Sequence, residues 1–165
     1  NAALKMSEQG DCGRVIARDL SDYKVALIDE NIKRLNITNI QTQVYDALDC
    51  DESLINKADI VIADLPCSGL GIIGRKPDIK YNASPEKLQS LVDLQRDILK
   101  VVSRYVKSGG VLMYSTCTIN RAENEDNADW ICKESGFTKD GEYHQLLPAN
   151  NSGMDGFFVA RLIKS

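Results

Sequence analysis

Short apolar runs alternate with amphipathic stretches along the whole chain, a pattern that few folds accept. Strand-like runs occupy residues 13–18, 40–45, 58–63 and 110–114, each brief, rich in β-branched residues and bounded by turn formers. Between the first two, Ser21 is placed to cap a helix over residues 22–35, with Val25, Ile28, Ile32 and Leu35 on one face. Ser84-Pro85-Glu86-Lys87 opens a second helix with a cap, a proline at the first position and an early acid. That helix is expected to run to about Lys107, burying Leu88, Leu91, Val92, Gln95, Ile98, Leu99, Val102 and Val106, and to end at Gly109-Gly110. A third covers residues 122–134 before Gly136, residues 1–9 have helical composition, and residues 156–163 read as a final pair of strands. Alternation of this kind predicts an α/β fold built on a doubly wound parallel sheet.

In such sheets ligands sit at the carboxyl ends of the strands. The run 58–63 ends in Asp64-Leu65-Pro66-Cys67-Ser68-Gly69-Leu70-Gly71, and the run 110–114 ends in Ser115-Thr116-Cys117-Thr118. Two strands that each deliver a thiol to one sheet edge suggest a two-cysteine active site. Three strands also end in an aspartate, Asp19, Asp46 and Asp64. An acid at the second strand tip of such folds holds ribose hydroxyls of a nucleotide-like ligand, and one at the next can accept from an adenine amino group. The plainer reading is that each merely caps the turn that follows.

With 165 residues and 43% hydrophobic content the chain can bury one core, so a single domain over 1–165 is expected. The net charge of −4 leaves any nucleic-acid contact to a local basic patch. Five cysteines in no C-x-x-C pair fit a reducing, cytoplasmic setting better than a disulfide framework, and a lone histidine, His144, disfavours a metal site. No apolar run is long enough to span a bilayer. Basic residues gather in the loop from Arg75 to Lys80, between the two cysteine strands, and recur at Arg96, Lys100, Arg104 and Lys107 as a stripe on the long helix. The loop is the better candidate for RNA contact, since charged helix faces are commonly just solvated.

The segments Asp64-Leu65-Pro66-Cys67-Ser68-Gly69, Gly74-Arg75-Lys76-Pro77-Asp78-Ile79-Lys80-Tyr81, Ser115-Thr116-Cys117-Thr118 with Glu123-Asn124, and Asp155-Gly156-Phe157-Phe158-Val159-Ala160 resemble the RNA 5-methylcytosine methyltransferases. The resemblance is strongest to the Sun (Fmu, RsmB) branch, which modifies small-subunit ribosomal RNA. It implies a Rossmann-like fold that uses S-adenosylmethionine. It implies further that Cys117 is the nucleophile, that Cys67 assists release, and that Asp64 bonds the flipped-out base while Asp19 and Asp46 hold the cofactor's ribose and adenine. The family's first strand and glycine-rich cofactor loop have no counterpart here, so a fragment truncated at its N-terminus that binds the cofactor poorly is expected. Self-association is one expected way of completing its sheet.

The chemistry fits the residues. Carbon 5 of cytosine is a poor nucleophile, and addition of a thiolate to carbon 6 makes it enamine-like. A cysteine attacks at neutral pH only if its pKa is drawn down from ~8.5, for which Arg75, Lys76 or Lys80 in the intervening loop are the candidate cations. A DNA cytosine-5 methyltransferase would place its nucleophile in the Pro-Cys segment and need no Thr-Cys, and an amino-group methyltransferase would carry an aromatic residue where Cys67 stands. A catalytically silent fragment with an RNA-contact role is the third alternative.

Overall fold

Ser21 and Ser84 start helices as their sequence context predicts. In the computed structural model, which describes residues 13–148 and 154–165, Ser21 Oγ accepts from Lys24 N at 3.4 Å and Ser84 Oγ from Lys87 N at 3.3 Å. The helix expected over residues 1–9 lies outside the described residues. The chain groups into two compact units, Asn1–Asp49 and Cys50–Ser165.

The described part of the first unit is a βαβ element. Strand β1 (Val15–Asp19), helix α1 (Asp22–Arg34) and strand β2 (Ile40–Val44) follow one another, and β1 and β2 pair in parallel. A helical crossover is what allows two consecutive strands to run the same way. Val25 is buried on the inner face of α1, and Asp29 Oδ1 accepts from Thr42 Oγ1 at 2.7 Å, tying helix to strand.

The second unit is built on a five-stranded sheet of order β3 (Ala58–Asp64), β4 (Val106–Thr116), β7 (Phe157–Lys164), β5 (Phe137–Lys139), with β6 (His144–Leu146) also paired to β7. Its helices are a short α2 (Ile79–Asn82), the long α3 (Pro85–Val102) and α4 (Glu125–Ser135). β3 and β4 pair in parallel, and β7 pairs antiparallel with β4, β5 and β6, so that β7 alone is reversed in this sheet. This corrects the expected parallel sheet at one strand. The connection across residues 147–156 is shorter than the dozen or more residues of a parallel crossover, so β7 returns against its neighbours.

Helix α3 also stops earlier than its pattern suggests. Residues Ser103–Tyr105 form a 3-10 turn, and the carbonyls of Arg104 and Tyr105 accept from Asn56 N at 2.9 Å and Lys57 N at 3.0 Å. Those tertiary bonds compete with continuation of the helix, and Val106 and Lys107 belong to β4. The expected basic stripe is therefore broken up. Arg96 Nε donates to Asn127 Oδ1 at 2.8 Å and its guanidinium lies 5.2 Å over Trp130, Lys100 pairs with Asp97 at 3.2 Å, and Lys107 pairs with Asp59. Gly109 and Gly110 lie inside β4, beside the irregularity in its register with β3.

Between the sheet and its two long helices lies the core, with Leu99, Leu112, Tyr114, Ala128, Ile131, Phe158 and Leu162 buried. Each large apolar side chain removed from water contributes about 1.5–3 kcal/mol. Cys132 and Trp130 pack against this core, consistent with a packing role for both. No described helix is long and apolar enough to cross a membrane.

Candidate active site

Strands β3 and β4 end side by side because their parallel register pairs Asp64 with Ser115. Ser115 Oγ donates to Asp64 Oδ1 at 3.1 Å, which fixes that carboxylate at the sheet edge, and Leu65 N donates to Ser115 O at 3.2 Å. The chain beyond each strand then turns toward the other. The Sγ atoms of Cys67 and Cys117 stand 3.2 Å apart, so the two thiols form one unit. Burial, and then the hydrogen bond to Cys117, push the Cys67 thiol up to about 12. The charged form of a half-buried thiol is disfavoured because it loses the water that would solvate it. Cys67 therefore holds its proton at neutral pH.

Backbone contacts weld the loops that carry the thiols. Gly71 N donates to Cys117 O at 3.1 Å, and Gly71 O accepts from Gly156 N at 2.7 Å. A Cβ on Gly71 would lie 2.5 Å from Gly156 O and 2.8 Å from Cys117 O, so only glycine permits this approach. Ser68 Oγ and Thr118 Oγ1, 2.7 Å apart, add a side-chain link.

Beneath the thiols lies a polar network that the sequence pattern did not reveal. Glu123 is buried, with Oε2 accepting from Ser68 N at 2.8 Å and Gln95 Nε2 at 3.1 Å, and Oε1 accepting from Asn120 Nδ2 at 2.9 Å. Gln95 Nε2 also donates to Pro66 O at 2.9 Å, and Gln95 Oε1 accepts from Asn127 Nδ2 at 2.8 Å. Tyr114 OH donates to Glu123 O, and burial raises its pKa. On the other side of Cys117, Asn124 Oδ1 accepts from Thr116 Oγ1 at 2.6 Å while Asn124 Nδ2 donates to Thr118 O at 3.0 Å. The available signal was Gln95, a polar residue on the otherwise apolar face of α3.

An open cavity of about 550 Å³ adjoins this site, lined in part by Cys67, Ser68, Arg75, Lys76 and Lys87. Arg75 Nε lies 3.1 Å from Asp155 Oδ2. Lys80, Asp64 and Cys117 are not among the residues lining it. Lys87, one turn into α3, is a further cation that the sequence pattern did not single out.

Asp19 and Asp46 belong to the first unit, at and just beyond the adjacent ends of β1 and β2, where Tyr45 N donates to Asp19 O at 3.0 Å. Asp19 Oδ1 accepts from Ser21 N at 2.9 Å, with Lys24 Nζ 3.4 Å from Oδ2, and Asp46 Oδ1 accepts from Leu48 N at 2.9 Å. Both carboxylates cap the turn that follows, as the plainer reading held, and both present acceptor-only groups at neighbouring strand tips. Among the described residues no group of three or more His, Cys, Asp or Glu could hold a metal ion.

The family model described as 16S rRNA methyltransferase RsmB/F matches residues 3–163. The chain belongs to this RsmB/F family. It is 36% identical to the probable ribosomal RNA small subunit methyltransferase B of Bacillus subtilis, over 92% of this chain and 38% of that protein. It is 33% identical to the ribosomal RNA small subunit methyltransferase F of Escherichia coli O157:H7, over 99% of this chain and 37% of that protein. The chain thus spans well under half the length of these two RsmB/F relatives. Among solved structures, that of PH0851 is similar over 92% of this chain and 37% of the other, with 30% identity and a TM-score of 0.84. NSun6 from Pyrococcus horikoshii, solved with SFG, is similar over 92% of this chain and 41% of the other, with 26% identity and a TM-score of 0.76. The RsmB/F chain therefore has the mixed α/β, Rossmann-like methyltransferase fold.

Proposed function

We propose that residues 1–165 are the catalytic part of a cytoplasmic enzyme that methylates carbon 5 of a cytosine in small-subunit ribosomal RNA, through a cysteine adduct and with S-adenosylmethionine. The observation that carries this reading is the 3.2 Å approach of Cys67 and Cys117 at the ends of two parallel strands. Membership of the RsmB/F family supports the substrate class.

In this reading the Cys117 thiolate adds to carbon 6 of the base and pushes an electron pair toward carbon 5, priming it to accept a methyl group. Asp64, held by Ser115, accepts from the exocyclic amine and orients the ring. Afterwards the carbon-5 proton leaves to a base, the carbon 6–sulfur bond breaks, and its electron pair returns to Cys117. The departing sulfur then accepts a hydrogen bond from the protonated Cys67. Bound S-adenosylmethionine supplies the electrophilic methyl group. The first unit fits that cofactor, because carboxylates at neighbouring strand tips suit its donors: Asp19 for the ribose hydroxyls and Asp46 for the adenine amine. The cations beside Cys67 give an RNA backbone its local partner despite the net negative charge.

The test compares Cys117→Ala with Cys67→Ala in the full-length protein, supplied with S-adenosylmethionine and a ribosomal RNA fragment. Methylation and covalent protein–RNA adducts on a denaturing gel are the readouts. Cys67→Ala accumulates an adduct and Cys117→Ala forms none. The reverse pattern assigns the chemistry of DNA cytosine-5 enzymes, and full activity in both variants leaves a silent fragment.

A further inference from the structure

We propose that Glu123 and Gln95 act together as a positioning clamp that holds Cys67 in register with Cys117. The proposal rests on the two-thiol reading and adds residues to it.

The geometry is specific to the peptide groups around Cys67. Gln95 Nε2 holds the carbonyl of Pro66, one residue before the thiol, at 2.9 Å. Glu123 Oε2 holds the amide of Ser68, one residue after it, at 2.8 Å. The two side chains bond each other at 3.1 Å, so both anchors move as one body. With the groups on either side fixed, the Cα–Cβ direction of Cys67 is fixed as well.

The same carboxylate reaches the opposite loop. Glu123 Oε1 accepts from Asn120 Nδ2 at 2.9 Å, and Asn120 N donates to Thr118 Oγ1 at 3.2 Å, next to Cys117. Both thiol-bearing loops are thus referenced to one buried carboxylate. A purely structural role is a weaker account, because apolar side chains of similar volume fill a core without burying a polar group that must find partners. Among the described residues no cation pairs with Glu123, and its two carboxyl oxygens are met by three N–H donors, the arrangement expected where direction matters. Misplacing a reacting group by an ångström costs on the order of 10²-fold in rate.

The test uses Glu123→Gln in the full-length protein, with kcat and KM for RNA measured beside a thermal melt and Cys117→Ala in the same assay. An amide at position 123 turns a donor toward Ser68 N or Asn120 Nδ2 and releases one loop. The expected result is a fall in kcat on the order of 10²-fold with KM within about twofold. An unchanged kcat, or a loss only in proportion to the unfolded fraction, overturns the clamp. Should Glu123→Gln fail to fold, Asn120→Ala cuts the side-chain link to Glu123 together with the Ala122 N bond to Asn120 Oδ1 at 3.2 Å, and leaves the Gln95 and Ser68 bonds to Glu123 in place. A kcat lowered by about tenfold then supports the clamp, and an unchanged one overturns it. Activity that survives Cys117→Ala instead overturns the two-thiol reading, whatever position 123 does.

Discussion

Cys67 and Cys117 lie 50 residues apart in the chain and meet sulfur to sulfur at 3.2 Å, with Cys67 keeping the proton. The protonated state of Cys67 is measurable. Iodoacetamide at about pH 7–9 is expected to leave Cys67 unlabelled even in a Cys117→Ser variant, because burial, the first cause of its raised pKa, persists. Mass spectrometry of the labelled peptide reads the result, and rapid labelling of Cys67 in that range would falsify the assignment. A thiol whose folded pKa is raised stabilises the fold below its ordinary value of 9.0, and that contribution is lost as pH climbs toward about 12. Melting of a Cys67→Ala variant should accordingly fall less steeply with pH over that interval.

Gly71→Ala should damage the site. Its new Cβ meets the carbonyl oxygens of Gly156 and Cys117, which are backbone and cannot swing aside. Overpacking of this kind costs about 1–3 kcal/mol. Activity should drop further than the melting temperature, because the Cys117 loop is what gives way. Gly74→Ala is the matched control, since nothing lies within 4 Å of its added Cβ. Equal behaviour of the two variants in activity and melting assays would refute this role for Gly71.

Arg75, which also pairs with Asp155, and Lys76 and Lys87 line the cavity beside Cys67, whereas Lys100 is not among the residues lining it. Replacing any one of the three by alanine in the full-length protein should weaken RNA binding. It should also reduce the slope of log affinity against log salt by about 0.7 for each single-strand phosphate no longer neutralised. Lys100→Ala should leave that slope alone. Filter binding at several salt concentrations distinguishes the two.

Thr116→Val replaces a buried hydroxyl with a methyl group and leaves Asn124 Oδ1 without its 2.6 Å partner. An unsatisfied buried acceptor costs about 1–3 kcal/mol. Denaturant unfolding should show that loss in the midpoint, and an unchanged midpoint would mean that Asn124 finds another donor.

Local signals in the sequence translated directly into structure. Ser21 and the Ser84-Pro85 pair begin helices because capping is settled within one turn, and the Pro-Cys and Thr-Cys segments fall at strand ends because apolar runs stop there. What depended on distant partners did not show. Helix α3 gives way at Ser103 to bonds from Asn56 and Lys57, which no pattern within residues 85–107 records. The antiparallel course of β7 is set by a short return connection. Glu123 and Asn124 appeared as motif members, but the bonds that place Glu123 come from distant residues, Gln95 of α3 and Ser68 beyond β3.

Strand β7 comes last in sequence among the described strands yet lies inside the sheet, hydrogen-bonded to β4 on one side and to β5 and β6 on the other. While the chain is being made, β4, whose end carries Cys117, therefore keeps an open edge until residues 157–164 have emerged. Gly156, which bonds the Gly71 loop, arrives only at that same moment. Both thiols are thus synthesised long before their geometry exists, and an unpaired strand edge is the surface on which nascent chains associate wrongly. The closing segment of the sheet therefore sets the moment at which the Cys67 and Cys117 loops can first be held together.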